Sequence, residues 1–284
     1  MTGKHPAPPE SSAGKPNPTF SWAALAVVVA ALAIGWLAGS FYSPGSDASA
    51  LNAALRVSPS NPIPGSFVDL VFTLTEDGKP ASGLREFNGG ELHVAIARKN
   101  LSSLEVEFAE PDPDVRGVYR LKHAFPETGL FFVWVQFENR GKTGTKRFEV
   151  QIGNEPVESY DFERNFTIAK VFENRYLVTL MPRGELANGS KVTLNAHVED
   201  LHLIRPANDL TPLNGSGMHA FVVAEDASSF AHLIPESEAK ESELATGPDV
   251  EFSYAFPKKG VFNVWLQFKH SGKVVTSNFQ LNVS

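Results

Sequence analysis

The chain of 284 residues contains no cysteine. That single absence excludes zinc–thiolate sites, disulfide frameworks, thiol catalysis and a lipid-modified cysteine anchor. Basic charge is scarce as well: 25 Lys and Arg stand against 32 Asp and Glu, a formal net charge of −7. No positive field exists to hold a polyanion, so no nucleic-acid partner is expected. The chain also lacks a Gly-x-x-x-x-Gly-Lys-Ser/Thr phosphate loop, a Gly-x-Ser-x-Gly elbow and a His-Glu-x-x-His helix. Its carboxylates are scattered, and Glu155, Glu158, Asp161 and Glu163 read as a solvated charge run. Neither an enzyme nor a small-molecule substrate is expected. What the chain has in quantity is apolar material, 42% of the residues with 21 Phe among them, which is enough to hold a core without cross-links.

One stretch organises the rest. His123-Ala-Phe-Pro-Glu-Thr-Gly-Leu-Phe-Phe-Val-Trp-Val-Gln-Phe137 returns as Tyr254-Ala-Phe-Pro-Lys-Lys-Gly-Val-Phe-Asn-Val-Trp-Leu-Gln-Phe268, with nine of fifteen positions identical. The chain therefore carries one unit twice. Within the stretch Gly129 or Gly260 closes a turn, and Phe131, Val133, Val135 and Phe137 alternate with Trp134 and Gln136. That is the period of a strand with a buried face.

Taken in order, residues 1–20 are poor in apolar groups and read as a disordered cytoplasmic tail. Residues 21–42 include an uncharged run from Trp22 to Tyr42, long enough to cross a hydrocarbon core of roughly 30 Å. Lys4 and Lys15 precede this run and no Lys or Arg follows before Arg56, which puts the N-terminus inside and the bulk of the chain outside. The rival reading is a cleaved signal ending near Ala48-Ser49-Ala50, and both readings give an extracytoplasmic protein. A spacer spans 43–54, the first repeat 55–153, a linker 154–167 and the second repeat 168–284. Val68, Leu70, Phe72 and Leu74 are answered by Val192, Leu194, Ala196 and Val198; Leu92–Ala97 is answered by Met218–Val223. Short alternating strands in units of this size predict an all-β chain, two tandem β-sandwiches of immunoglobulin type behind an N-terminal transmembrane helix.

Histidine is the remaining chemical handle. His93 and His219 occupy the same place in the two repeats, and His232 follows His219 by thirteen positions where the first repeat has Val106. Imidazole suits copper and zinc, and a thioether selects Cu(I), so Met218, His219 and His232 form a copper-like set. Met218 and His219 are neighbours on a strand, so at most one of them faces His232 unless the strand bulges. The alternative is that the histidines bond backbone carbonyls and Met218 is core. His197 and His202 read as structural or exposed, His123 as packing (Tyr254 takes its place in the second copy), and His5 and His270 as incidental. Trp134 and Trp265 lie on the face away from the main core stripe. They either cover the sandwich edge or the contact between repeats, or present an aromatic patch to a protein partner in the envelope.

Met218-His-Ala-Phe-Val-Val-Ala-Glu-Asp-Ala-Ser-Ser-Phe-Ala-His-Leu-Ile-Pro-Glu236, followed by Phe256-x-x-x-Gly260-x-Phe-x-Val-Trp265, resembles the bacterial YtkA-like domain. FixH-like proteins, which are related, likewise place an immunoglobulin-like domain outside a single N-terminal membrane helix. The resemblance implies a plasma-membrane protein tied to copper handling or oxidase maturation. Where the family's loop reads His-Leu-His-Pro-Glu, this chain keeps His232 and has Ile234 in place of the second histidine. The expectation is a membrane-anchored accessory protein holding copper through His219 and His232 with Met218 in reserve, or a metal-free scaffold that binds a partner through Trp134 and Trp265.

Overall fold

The computed structural model describes residues 51–87, 89–139, 141–154, 164–239 and 246–284. The expected tail, the membrane helix at 21–42 and most of the spacer lie outside them. Among the described residues no helix is long and apolar enough to cross a membrane.

The first unit contains nine strands: β1 (Leu51–Ser58), β2 (Phe67–Glu76), β3 (Lys79–Pro80), β4 (Leu84–Arg85), β5 (Leu92–Arg98), β6 (Leu104–Pro111), β7 (Val118–Ala124), β8 (Gly129–Asn139) and β9 (Lys142–Ile152). One layer is β1–β2–β7 with β3 on β2; the other is β6–β5–β8 with β4 and β9 on β8. The layers join where the end of β6 pairs with β7 at Glu110–Arg120 and Pro111–Tyr119. The second unit contains β10 (Ala169–Phe172), β11 (Tyr176–Arg183), β12 (Lys191–Asp200), β13 (Arg205–Pro206), β14 (Met218–Ala224), β15 (Phe230–Leu233), the short α1 (Glu236–Ala239), β16 (Asp249–Ala255), β17 (Gly260–His270) and β18 (Lys273–Val283). Its layers are β10–β11–β12–β13 with β16 on β12, and β15–β14–β17–β18. The all-β expectation of two tandem sandwiches therefore holds, with one shift of boundary: residues 51–54, read as spacer, belong to β1, paired with β2.

Alternation builds each core. Val68, Leu70, Phe72 and Leu74 of β2 meet Phe131, Val133, Val135 and Phe137 of β8 inside the first sandwich. Val192, Leu194, Ala196 and Val198 of β12 meet Phe262, Val264, Leu266 and Phe268 of β17 inside the second. Gly129 and Gly260 open β8 and β17 at φ of 128° and 121°, a region open to glycine and strained for other residues.

The outward faces of β5 and β14 are buried as well; every residue of β14 is buried, and every residue of β5 except Arg98. A third apolar cluster explains this. Ala95, Ala97, Leu101, Leu104, Phe132 and Trp134 of the first sandwich pack against Phe221, Val223, Ala227 and Trp265 of the second. Trp134 stacks on Phe230 of the second sandwich with ring centroids 5.3 Å apart, and Arg147 donates to the Ala227 carbonyl at 2.9 Å. The two sandwiches, both in the compact unit Ser40–Ser284, are joined back to back through their equivalent sheets.

Candidate metal centre in the seam

The histidines come together at one end of this seam. Along β14 the side chains alternate: Met218, Ala220, Val222 and Ala224 belong to the core of the second sandwich, while Phe221 and Val223 belong to the seam. His219 is on the seam face by the same period. β15 runs antiparallel beside β14 and puts His232 opposite Phe221, so His232 lies on a strand. His219 Nδ1 and His232 Nε2 are 2.8 Å apart. Met218 is fully buried on the other face, and no bulge brings it round. The expected role of Met218 as a ligand is therefore corrected: it is core.

The third member comes from the first sandwich. His93 is equivalent to His219, and its ring centroid lies 5.5 Å from that of His232; the His219–His232 centroids are 5.0 Å apart. The two equivalent histidines are held alike. Phe87 bridges Gly90, and Leu213 bridges Ser216 in a matching tight turn. The carbonyl at the start of each turn accepts from the histidine six residues on: His93 Nε2–H to Phe87 O at 2.6 Å, His219 Nε2–H to Leu213 O at 2.7 Å. A carbonyl can only accept, so both rings carry the proton on Nε2 and leave Nδ1 with a free lone pair. His232 Nε2–H then donates to His219 Nδ1. His93 Nδ1 is buried and has no partner.

The surroundings keep these rings neutral. His93 is 4% exposed and His219 2%. Burial lowers His93 to about 4, with a further push from His219. Burial lowers His219 too, although Glu238 opposes it. His232, partly exposed, is held well below the usual histidine range by desolvation and by the nearness of His219 and His93. Aromatic rings form the walls: Phe87 stacks on His93 at 4.0 Å, Phe108 meets it edge-on at 4.7 Å, and Phe221 stacks on His232 at 4.6 Å. The loops that carry the clasping carbonyls also touch. A Cβ on Gly89, whose φ is 95°, would lie 3.4 Å from Asn214 of the second sandwich. Gly217 N–H donates to Glu238 at 2.9 Å, which places one carboxylate near the site.

The donor set fits copper chemistry. With metal–nitrogen bonds of about 2 Å, two nitrogens 2.8 Å apart share a point from which they subtend about 90°, an angle found in tetragonal copper sites. The carbonyls behind His93 and His219 are the outer partners that fix tautomer and ring direction in metal-binding histidines.

Trp134 and Trp265 are each 2% exposed, and the rings are covered by the opposite sandwich. An exposed aromatic patch for a protein partner is therefore not what these residues form; their partner is the other repeat. His197 is half-buried between Asp249 at 3.0 Å and Glu199 at 3.5 Å, and His202 is exposed in a turn. His270, read as incidental, is 1% exposed and bonds Tyr176 and Asp209. His123 is buried with Nδ1 2.6 Å from Glu107. Among the described residues, Glu105, Glu107 and His123 are the one trio of His or carboxylate groups whose ligand atoms all lie within 4.8 Å of one another.

Sequence reasoning missed His93 as a neighbour of His232. The equivalence of His93 and His219 was visible, but which face each copy turns toward the other is not written in either copy alone.

A family model described as a domain of unknown function (DUF8832) matches residues 169–284, the second sandwich. No curated protein sequence matches the chain. Among solved structures, similarity extends to Salmonella alpha-2-macroglobulin reacted with methylamine, at 14% identity and a TM-score of 0.27, over 86% of this chain and 15% of that one. The Yersinia pseudotuberculosis adhesin InvE matches at 13% identity and a TM-score of 0.28, over 84% and 62%. The Escherichia coli adhesin FdeC matches at 17% and 0.26, over 86% and 66%. The chain thus spans less than two thirds of each, and at these scores the likenesses carry no argument about ligand or activity.

Proposed function

We propose that this protein is a membrane-anchored, extracytoplasmic accessory protein that binds copper through His219 and His232, in metal handling or oxidase maturation. The observation that carries the reading is the 2.8 Å approach of His219 Nδ1 to His232 Nε2, with His219 Nε2–H committed to the Leu213 carbonyl. With the single N–H proton of His232 moved to its Nδ1, His219 Nδ1 and His232 Nε2 both turn a lone pair to one point where a metal ion would sit, and both rings stay neutral. The uncharged run at 21–42 supports the anchor, and the immunoglobulin-like resemblance of the second repeat to the YtkA-like and FixH-like proteins supports the copper assignment.

The test is titration of the full chain, in detergent, with Cu(I) and with Cu(II) against a competing chelator, beside the double variant His219→Gln/His232→Gln. One equivalent bound by the wild type and lost in the variant is expected. Equal binding by both, or binding by neither, would remove the reading and leave a tethered pair of sandwiches whose task is to hold a protein.

A further inference from the structure

We infer that the copper site is completed by His93, so that the ion is held by both sandwiches and closes the seam between them. The inference rests on the copper reading of His219 and His232 and goes beyond it, since it makes the paired architecture part of the ligand set.

Three observations carry it. First, His93 Nδ1 is a buried lone pair without a partner in a residue only 4% exposed, an arrangement that proteins avoid unless something else satisfies the atom. Second, the tautomer is already set: Nε2–H is spent on the Phe87 carbonyl, and the nitrogen left free is the one equivalent to His219 Nδ1. Third, the ring centroids stand close to those of a shared ion, while the donor nitrogens spread beyond 4.8 Å and have to draw together to share one. With metal–nitrogen bonds of about 2 Å, the centroid of a coordinating imidazole lies about 3 Å from the ion, and two such centroids lie about 5 Å apart. The observed separations from His232 are 5.0 Å for His219 and 5.5 Å for His93. The three histidines stand wider than the Glu105–Glu107–His123 trio, so an ion would draw His93 inward.

The equivalence of the copies also says why there are three ligands and not four. Adding 126 to 93 gives 219, and subtracting it from 232 gives 106, a valine. Each sandwich brings the histidine of its central strand, and only the second brings one from the neighbouring strand. Phe87, Phe108 and Phe221 line the site beside the three histidines, with Glu238 as the nearby negative charge.

The experiment uses the full chain labelled with 15N at histidine, titrated with Cu(I), which is diamagnetic, and compared with His93→Gln. One equivalent should shift the Nδ1 resonances of both His93 and His219 while their Nε2–H signals persist, and His93→Gln should weaken binding by about tenfold or more without changing the stoichiometry. If the variant does not fold, the ring shifts of the wild type decide alone. Cu(I) bound by His219 and His232 with the His93 ring unmoved and the His93→Gln affinity unchanged would overturn the inference and leave the two-histidine site standing. No Cu(I) bound by the wild type would overturn both.

Discussion

The same edge of the same sandwich occurs twice, with different chemistry. In the second copy Ala231 and Leu233 of β15 and Tyr254 of β16 close the opening between the layers. In the first copy Glu105 and Glu107 of β6 and His123 of β7 stand in their places, with His123 bonded to Glu107 at 2.6 Å. On the seam side of the same two strands the order is reversed: the first copy has Val106 and the second has His232. A buried ion pair shows the same asymmetry. Asp200 is buried in the second copy with Arg175 at 2.6 Å and His270 at 3.7 Å, where the first copy has Glu76 and Asn139. The repeated residues are those that make the sheet and the seam, while the residues that differ are polar groups on the edges. Duplication supplied the scaffold twice, and the candidate chemistry arises where the copies meet and differ.

The seam itself is what the copies share, so it is the place to break first. Trp134→Ala or Trp265→Ala should each cost about 3–5 kcal/mol of stability, the usual range for a fully buried tryptophan, measured by denaturant unfolding of the full chain. Because both rings belong to one cluster, the double variant should lose less than the sum. Additive losses would mean that the two sandwiches are held independently.

Acid should act on the seam next. His93 is lowered to about 4 by burial, below the 6.5 of an unfolded histidine, so the unfolded chain takes up the proton first. Stability is then full above about pH 6.5 and falls as the pH drops towards 4, by about 3 kcal/mol from this residue alone. His219 and His232 shift in the same direction and add to the slope. Melting curves across that range should show the loss, and His93→Gln should flatten it. A flat wild-type profile would contradict the buried, neutral cluster.

The second copy has an acid-sensitive contact of its own at lower pH. The Arg175 guanidinium, together with the backbone N–H groups of His202 and Leu203, holds Asp200 at about 2. Its contribution of about 2 kcal/mol is present above pH 4 and lost as the pH falls towards 2. Arg175→Met should remove it at neutral pH, and no change in the neutral-pH melting temperature would sink that assignment. The smallest effect is expected from Glu105→Ala, which gives the first copy the residue of the second at Ala231. It should change stability by no more than about 0.5 kcal/mol, since Glu105 is exposed.

Much of this was legible in the sequence because the repeat and the two-residue period point to the same strands. The inward residues of β2, β8, β12 and β17 follow from alternation alone. Met218 could be separated from His219 by the same rule. The same period runs from Phe262 through Val264, Leu266 and Phe268 to His270, and carried one step further it would have marked His270 as buried. β6 was concealed because Leu104-Glu-Val-Glu-Phe108 is short and charged, although its apolar residues face the seam. The seam could not be read from either copy, since a strand apolar on both faces says that something covers it but not what does. For the same reason Trp134 and Trp265 remained open between a partner and the other repeat.

The measurement that bears most directly on the copper account is X-ray absorption at the copper edge of the full chain loaded with one equivalent. The account predicts a shell of imidazole nitrogens at about 2 Å, two or three in number, with no sulfur scatterer, because Met218 faces the core. A sulfur shell, or oxygen alone, would contradict it.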